Sequence, residues 1–170
     1  MAKKVITIDE VDLKGNEGLD PSKTIEEQLY EAGKYEVTKE HTFKVEFLLD
    51  KVNNGESERW IIVDKKTKST EEHWAEFRIW TYEEEIEFRK LATTYDPLKR
   101  MHFVDHDILN RIKVQRLLLG WSFEKDNLRL KLHHIQGVMT DECYKMFMKL
   151  FPNIVKRIID GMNSVLDYNG

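Results

Sequence analysis

Apolar and polar positions alternate through the first half of this chain and recur at helical spacing through the second. From Thr42, Phe43, Val45, Phe47 and Leu49 alternate with Lys44, Glu46 and Leu48, the period-two pattern of a half-buried strand. Asn53-Asn54-Gly55 then separates this run from Trp60-Ile61-Ile62-Val63, as a hairpin turn does. Residues Trp74 to Trp80 alternate again, with Ala75, Phe77 and Ile79 on one face; a third strand or a short helix fits. Thr81-Tyr82-Glu83-Glu84 opens a helix with capping-box spacing, and Glu83, Glu84 and Glu85 favour the positive end of its dipole. Tyr82, Ile86, Arg89 and the Leu91/Ala92 pair trace its expected inward stripe. Asp96-Pro97 ends it, because the residue before proline is pushed out of helical geometry.

Further on, Asp105 or Asp107 caps a helix expected to run to Leu119 and stop at Gly120. Asn127 to Ile135 alternates at Leu128, Leu130 and Leu132 against Arg129 and Lys131, which predicts another strand, broken by Gly137. Thr140 caps the next helix, with Asp141 and Glu142 in its first turn. Pro152 opens a separate final helix. The two stretches 105–121 and 140–168 hold a dense apolar set that includes Leu109, Ile112, Leu117, Trp121, Phe147, Ile154, Ile158 and Met162.

The first forty residues carry a weaker pattern. Val5, Ile6 and Ile8 fit a short strand, Gly15 and Gly18 a loop, and Thr24 with Glu27 a capping box whose helix ends at Gly33. The expected fold is α+β, a small antiparallel sheet in the N-terminal half packed against a helical C-terminal half. Residues 1–41 read as a partly ordered arm and 42–170 as a single domain, sheet-rich over 42–80 and helical over 81–170.

At 170 residues, one domain with an arm is the natural division. A net charge of −4 gives no overall field for nucleic acid or anionic lipid, so neither nucleic acid nor membrane is expected as a partner. Cys143 is the one cysteine of the sequence, which excludes an intramolecular disulfide and suits a reducing compartment. The opening Met1-Ala2-Lys3-Lys4-Val5-Ile6 lacks the apolar stretch of a signal peptide, and no apolar run reaches the roughly 20 residues of a membrane span. A soluble, cytoplasmic protein is the expectation.

Catalytic vocabulary is sparse. His102 and His106 are four apart, the spacing of two ligands on one helix face, and His133-His134 offer further imidazoles. No full zinc signature accompanies them, and surface or capping histidines are the plainer reading; a small metal-dependent enzyme using His102, His106 and His133 is the lesser alternative. Cys143 lies one turn before Phe147 and reads as a small buried hydrophobe. The runs Glu71-Glu72 and Glu83-Glu84-Glu85 read as solvated faces or dipole complements. The sequence has neither a phosphate-binding glycine loop nor a Gly-x-Ser-x-Gly elbow, so no cofactor is expected.

Contact residues are the other candidates. Lys145, Lys149, Lys156 and Arg157 form a basic stripe whose plain reading is the solvated side of amphipathic helices. Trp60, Trp74, Trp80 and Trp121 exceed what a modest core needs, so one or two are expected at a contact surface.

One family resemblance accompanies this pattern. It is carried by Trp74-Ala75-Glu76-Phe77-Arg78-Ile79-Trp80-Thr81 before an acidic helix, by Leu117-Leu118-Leu119-Gly120-Trp121-Ser122-Phe123, by Gly137-Val138-Met139-Thr140-Asp141-Glu142 and by Leu150-Phe151-Pro152-Asn153-Ile154-Val155. These motifs, spanning 74–170, resemble the tail assembly chaperones of tailed bacteriophages. The resemblance implies a non-enzymatic role in tail morphogenesis, keeping the apolar helices of a tape-measure protein in solution until tube protein polymerises around them. The strand-rich region Thr42 to Val63 and the charged arm have no counterpart in that family. They leave open a structural virion component (neck, tail terminator or baseplate) that orders on neighbouring subunits. The expected contact surface comprises Trp80, Tyr82, Trp121, Phe123, Phe147, Phe151, Lys156 and Met162. The expected partners are the tape-measure or tube protein and, as a homo-oligomer, further copies of the chain, in the host cytoplasm or the virion.

Overall fold

The computed structural model describes residues 22–24, 27, 33, 36–38, 40–55 and 57–166, and the chain divides into two compact units, Met1–Glu36 and Val37–Gly170. In the first unit Thr24 and Glu27 make the reciprocal bonds of a capping box: the Thr24 N–H donates to Glu27 Oε2 at 2.8 Å, and the Glu27 N–H to Thr24 Oγ1 at 3.2 Å. The strand expected at Val5–Ile8, the loop at Gly15 and Gly18, and the partial order of the arm lie outside the described residues. The unit boundary falls after Glu36 rather than after His41. His41 belongs with the sheet, its carbonyl accepting from the Ile79 N–H at 2.9 Å.

In the second unit the alternating runs form strands β1 (Thr42–Asn54), β2 (Ser57–Val63) and β3 (Glu71–Arg78). With β6 (Leu118–Trp121) they make a four-stranded antiparallel sheet in the order β2-β1-β3-β6. The strand reading of 74–80 therefore holds over the helical one. Gly55, at φ 67°, turns the β1–β2 hairpin, a left-handed conformation that glycine adopts without the steric cost of a β-carbon. Val45, Phe47 and Leu49 of β1 and Ala75 and Phe77 of β3 are buried on one face. The register Val45↔Ala75 and Phe43↔Phe77 places them side by side, so one strand slip would turn the whole apolar set outward.

The helices are α1 (Tyr82–Leu91), α2 (His106–Leu117), α3 (Asp141–Met148) and α4 (Pro152–Ser164). Thr81 closes a complete capping box on Glu84, Asp105 caps α2 and Thr140 caps α3. Phe147 of α3 and Ile154, Ile158 and Met162 of α4 join Leu109, Val114, Leu117, Leu118 and Trp121 in one core with the inner sheet face. The α+β architecture is thus as expected. Cys143 is buried in this core.

Four local expectations are corrected. Helix α1 stops at Leu91, and the segment to Asp105 is a separate hairpin of β4 (Thr93–Asp96) and β5 (Met101–Val104). Thr93, Thr94 and Tyr95 are β-branched and aromatic residues that suit the extended backbone. Helix α2 ends at Leu117, and Leu118–Trp121 leaves it to pair with β3. The alternating run 127–135 yields only the short strands β8 (Leu128–Arg129) and β9 (His134–Ile135), which pair with β7 (Glu124–Lys125) and β10 (Val138–Met139). Finally, α1 does not face inward through Tyr82, Ile86 and Leu91, which are exposed; Glu85, Phe88 and Ala92 occupy its buried side.

Candidate functional site

Three features stand out above the core: a buried charge cluster, a cleft at one end of the sheet, and an apolar exposed segment. The charge cluster pins α1 to α2. Glu85 and Lys113 are each only 2% exposed, and Lys113 Nζ lies 2.9 Å from Glu85 Oε2. The Trp80 indole donates to the same oxygen at 2.7 Å and Arg89 Nε to Oε1 at 3.1 Å. Lys113 also donates to Asn163 Oδ1 of α4 and lies 5.0 Å from the Trp80 ring centroid. Burial by itself would raise the Glu85 carboxyl. The hydrogen bonds from Lys113 and Trp80, the Lys113 charge and the Arg89 bond outweigh it and hold the group below its ordinary value. Every polar atom of the pair is used, which marks the cluster as architecture. The acidic run 83–85 is therefore not one solvated face: Glu83 is exposed, Glu84 caps and pairs with Arg78, and Glu85 is buried.

The cleft encloses about 810 Å³ between the Glu71 end of β3, the β7–β8 hairpin and the α3–α4 junction, within the range of natural ligand pockets. Leu49, Trp60, Phe123, Phe151 and Ile154 give it apolar walls, and Glu71, Glu72, Glu124, Asp126, Arg129 and Lys149 supply charge. Inside it, His73 Nδ1 lies 2.9 Å from Ser122 Oγ and His73 Nε2 lies 3.0 Å from Glu71 Oε2. The imidazole stacks on Phe123 at 5.0 Å and on Phe47 at 6.0 Å. Ser122 Oγ also accepts the Trp74 N–H at 2.9 Å, and the Ser122 N–H donates to the Trp74 carbonyl. The hydroxyl thus continues the β3–β6 ladder where the strand itself departs, and His73 holds it there. No sequence motif marks Glu71, His73 and Ser122, because 49 residues separate His73 from Ser122.

The exposed segment runs from Tyr82 to Ile108. Eight of the fourteen exposed large hydrophobics among the described residues fall in it, with Tyr82 78% and Leu98 94% exposed. The β4–β5 hairpin carries four of them, Tyr95, Leu98, Met101 and Phe103, and its two strands pair only with each other. Comparison with protein-family models, curated proteins and solved structures gives no match.

The expected contact residues separate on this frame. Trp80, Trp121, Phe147 and Met162 are buried in the core, and the Trp121 indole donates to the Leu130 carbonyl at 2.9 Å. Tyr82, Phe151 and Lys156 are exposed, and Phe123 is half-buried in the cleft wall. The histidines are not brought together. His102 lies against Tyr95 in the hairpin with its ring tilted, His106 opens α2, and the His133 N–H donates to Cys143 Sγ at 3.3 Å. Among the described residues no three His, Cys, Asp or Glu side chains are grouped to hold a metal ion, and no helix is long and apolar enough to cross a membrane.

Proposed function

We propose that this chain works by protein–protein interaction in phage tail morphogenesis, as an assembly chaperone for a helical, tape-measure-like client. The observation that carries this reading is the exposed apolar series of the segment Tyr82–Ile108. A folded domain with a complete core of its own leaves such surface open when another chain covers it. Tyr82 and Ile86 lie one turn apart on the exposed side of α1, and Leu91, Leu98, Met101 and Phe103 are exposed further along the segment. An amphipathic client helix would lay its apolar stripe against them.

Co-expression tests the reading. The tape-measure protein should stay in the soluble fraction with this chain and aggregate without it or with a Tyr82→Asp, Ile86→Asp variant. A client that is equally soluble in all three cases overturns the proposal. The β4–β5 hairpin favours a second reading, a structural virion protein whose hairpin edge is covered by a neighbouring subunit. Mass spectrometry of finished particles separates the two: stoichiometric presence selects the structural protein, and presence in lysate alone selects the chaperone.

A further inference from the structure

The tip of the β4–β5 hairpin is built as a rigid, cationic, apolar knob. Asp96 Oδ1 accepts the N–H groups of Leu98 at 2.9 Å and Lys99 at 3.2 Å, and Arg100 sits at φ 51°. With Pro97 fixing its own φ, these bonds hold Leu98 out at 94% exposure. The turn is closed by the Asp96 carboxylate and backbone N–H groups, so nothing in it calls for the Leu98 side chain. Residues 97–102, Pro-Leu-Lys-Arg-Met-His, contain two formal positive charges and no acid in a chain whose net charge is −4.

The cleft has the opposite character. Its walls are apolar, and its charged lining holds four carboxylates, Glu71, Glu72, Glu124 and Asp126, against Arg129 and Lys149. Arg129 is drawn toward the Trp74 ring, its guanidinium 5.0 Å from the centroid. Glu124 and Asp126 stand on the β7–β8 hairpin, and Asp126 and Asn127 form its positive-φ turn.

The two features sit far apart within one chain. The cleft lies at the Glu71 end of β3. The helices that carry the hairpin join at the other end, where Thr81 follows Arg78 by three residues and Leu118 pairs with Phe77. The hairpin leaves the remote ends of α1 and α2, which the Asp105 N–H ties to the Ala92 carbonyl at 2.9 Å. No hairpin residue lines the cleft.

We propose that the hairpin tip of one copy seats in the cleft of the next. Leu98 would enter between Trp60 and Phe123 while Lys99 and Arg100 meet Glu124 and Asp126. Such a contact is heterologous: each copy offers a knob and a socket, so the assembly closes as a ring or continues as a filament. The inference goes beyond the client reading and does not depend on it, since its readout is the mass of the isolated chain.

Sedimentation velocity on the full chain over a concentration series tests it with two variants. Leu98→Ser with Lys99→Glu disables the knob. Glu124→Lys with Asp126→Asn disables the socket, asparagine being well suited to the positive φ at that turn. Wild-type protein should grow beyond a dimer as concentration rises, and its mass should fall toward the monomer at about 0.5 M salt, where screening reaches within a few ångströms. Each variant alone should stay monomeric with a wild-type circular dichroism melt. An equimolar mixture should stop at a heterodimer, because one intact knob and one intact socket remain. If Leu98→Ser with Lys99→Glu does not fold, Leu98→Gln alone takes its place. A wild-type chain that is monomeric throughout, variants that associate as the wild type does, or a mixture that stays monomeric would each overturn the proposal.

Discussion

Helices α1 and α4 dock on the same core by different physics. Helix α4 buries Ile154, Val155, Ile158, Gly161 and Met162, an apolar stripe seated so closely on β1 that a β-carbon at Gly161 would overlap both γ-carbons of Val45. Its polar ties lie along the flanks and at the last turn: Asn153 donates to the Trp60 carbonyl, Arg157 to the Glu46 carbonyl, and Asn163 bonds Asn110 and Lys113 of α2. Helix α1 buries only Glu85 and Phe88, and the carboxylate is held by Lys113, Trp80 and Arg89. The seat of α4 rests mainly on shape, whereas that of α1 adds a buried charge pair to the single aromatic anchor Phe88. A shape-limited contact fails when volume is added; a charge-limited contact fails when one partner is lost.

Removing Lys113 should therefore have the largest effect. Lys113→Ala leaves a buried carboxylate without its cation and should cost about 3–5 kcal/mol in a urea melt. A loss below about 1 kcal/mol would show that Trp80 and Arg89 suffice. Next, Gly161→Ala gains about 1 kcal/mol of helix propensity yet should still lower stability by about 1–2 kcal/mol through overpacking. Val45→Ala should lessen that penalty, and additive behaviour of the pair would disprove the steric account. Replacing both charges, Glu85→Leu with Lys113→Met, should restore most of what Lys113→Ala loses, because a buried ion pair is about neutral against apolar groups of similar volume.

Acid sharpens the contrast. Glu85 has a folded-state value below its ordinary 4.5, so the stability it contributes is fully present above that value and is lost as pH falls through the depressed one. Wild-type stability should fall more steeply below about pH 4.5 than that of the Glu85→Leu, Lys113→Met double variant, checked by urea melts across that window. Smallest of all, Tyr82→Ser should change stability by no more than about 0.5 kcal/mol, even if it abolishes client binding.

Much of the fold was legible because its signals are local. Capping side chains at Thr81, Asp105 and Thr140 reach only two or three residues, and Pro152 announces the start of α4 by its own ring. The alternation of Val45, Phe47 and Leu49 states which face of β1 is buried. Where the deciding partner is distant, the sequence misleads. Leu117-Leu118-Leu119 reads as one helical run, yet Leu118 is claimed by Phe77 across the sheet. Glu85 looks like its two acidic neighbours until Lys113, 28 residues on, is placed against it. Tyr82, Ile86 and Arg89 have the spacing of an inward stripe with Ala92, but only Ala92 of these is buried, and Glu85 and Phe88 take the inward side instead. The cleft was invisible for the same reason, its walls coming from β1, β2, β3, the β7–β8 hairpin and α4.

The Glu85–Lys113 pin gives the molecule a mechanical property. Helices α1 and α2 are joined along their length by this pair and at their far ends by the bond from Asp105 to Ala92, so the hairpin is carried on a two-helix arm rather than on a loop. At their other ends the two helices join the sheet directly, α1 through Trp80 after β3 and α2 through Leu118 of the edge strand β6. The strand β3 from which α1 departs also bears Glu71 and His73 in the cleft wall, so hairpin and cleft are joined through β3 and α1 by one continuous length of backbone.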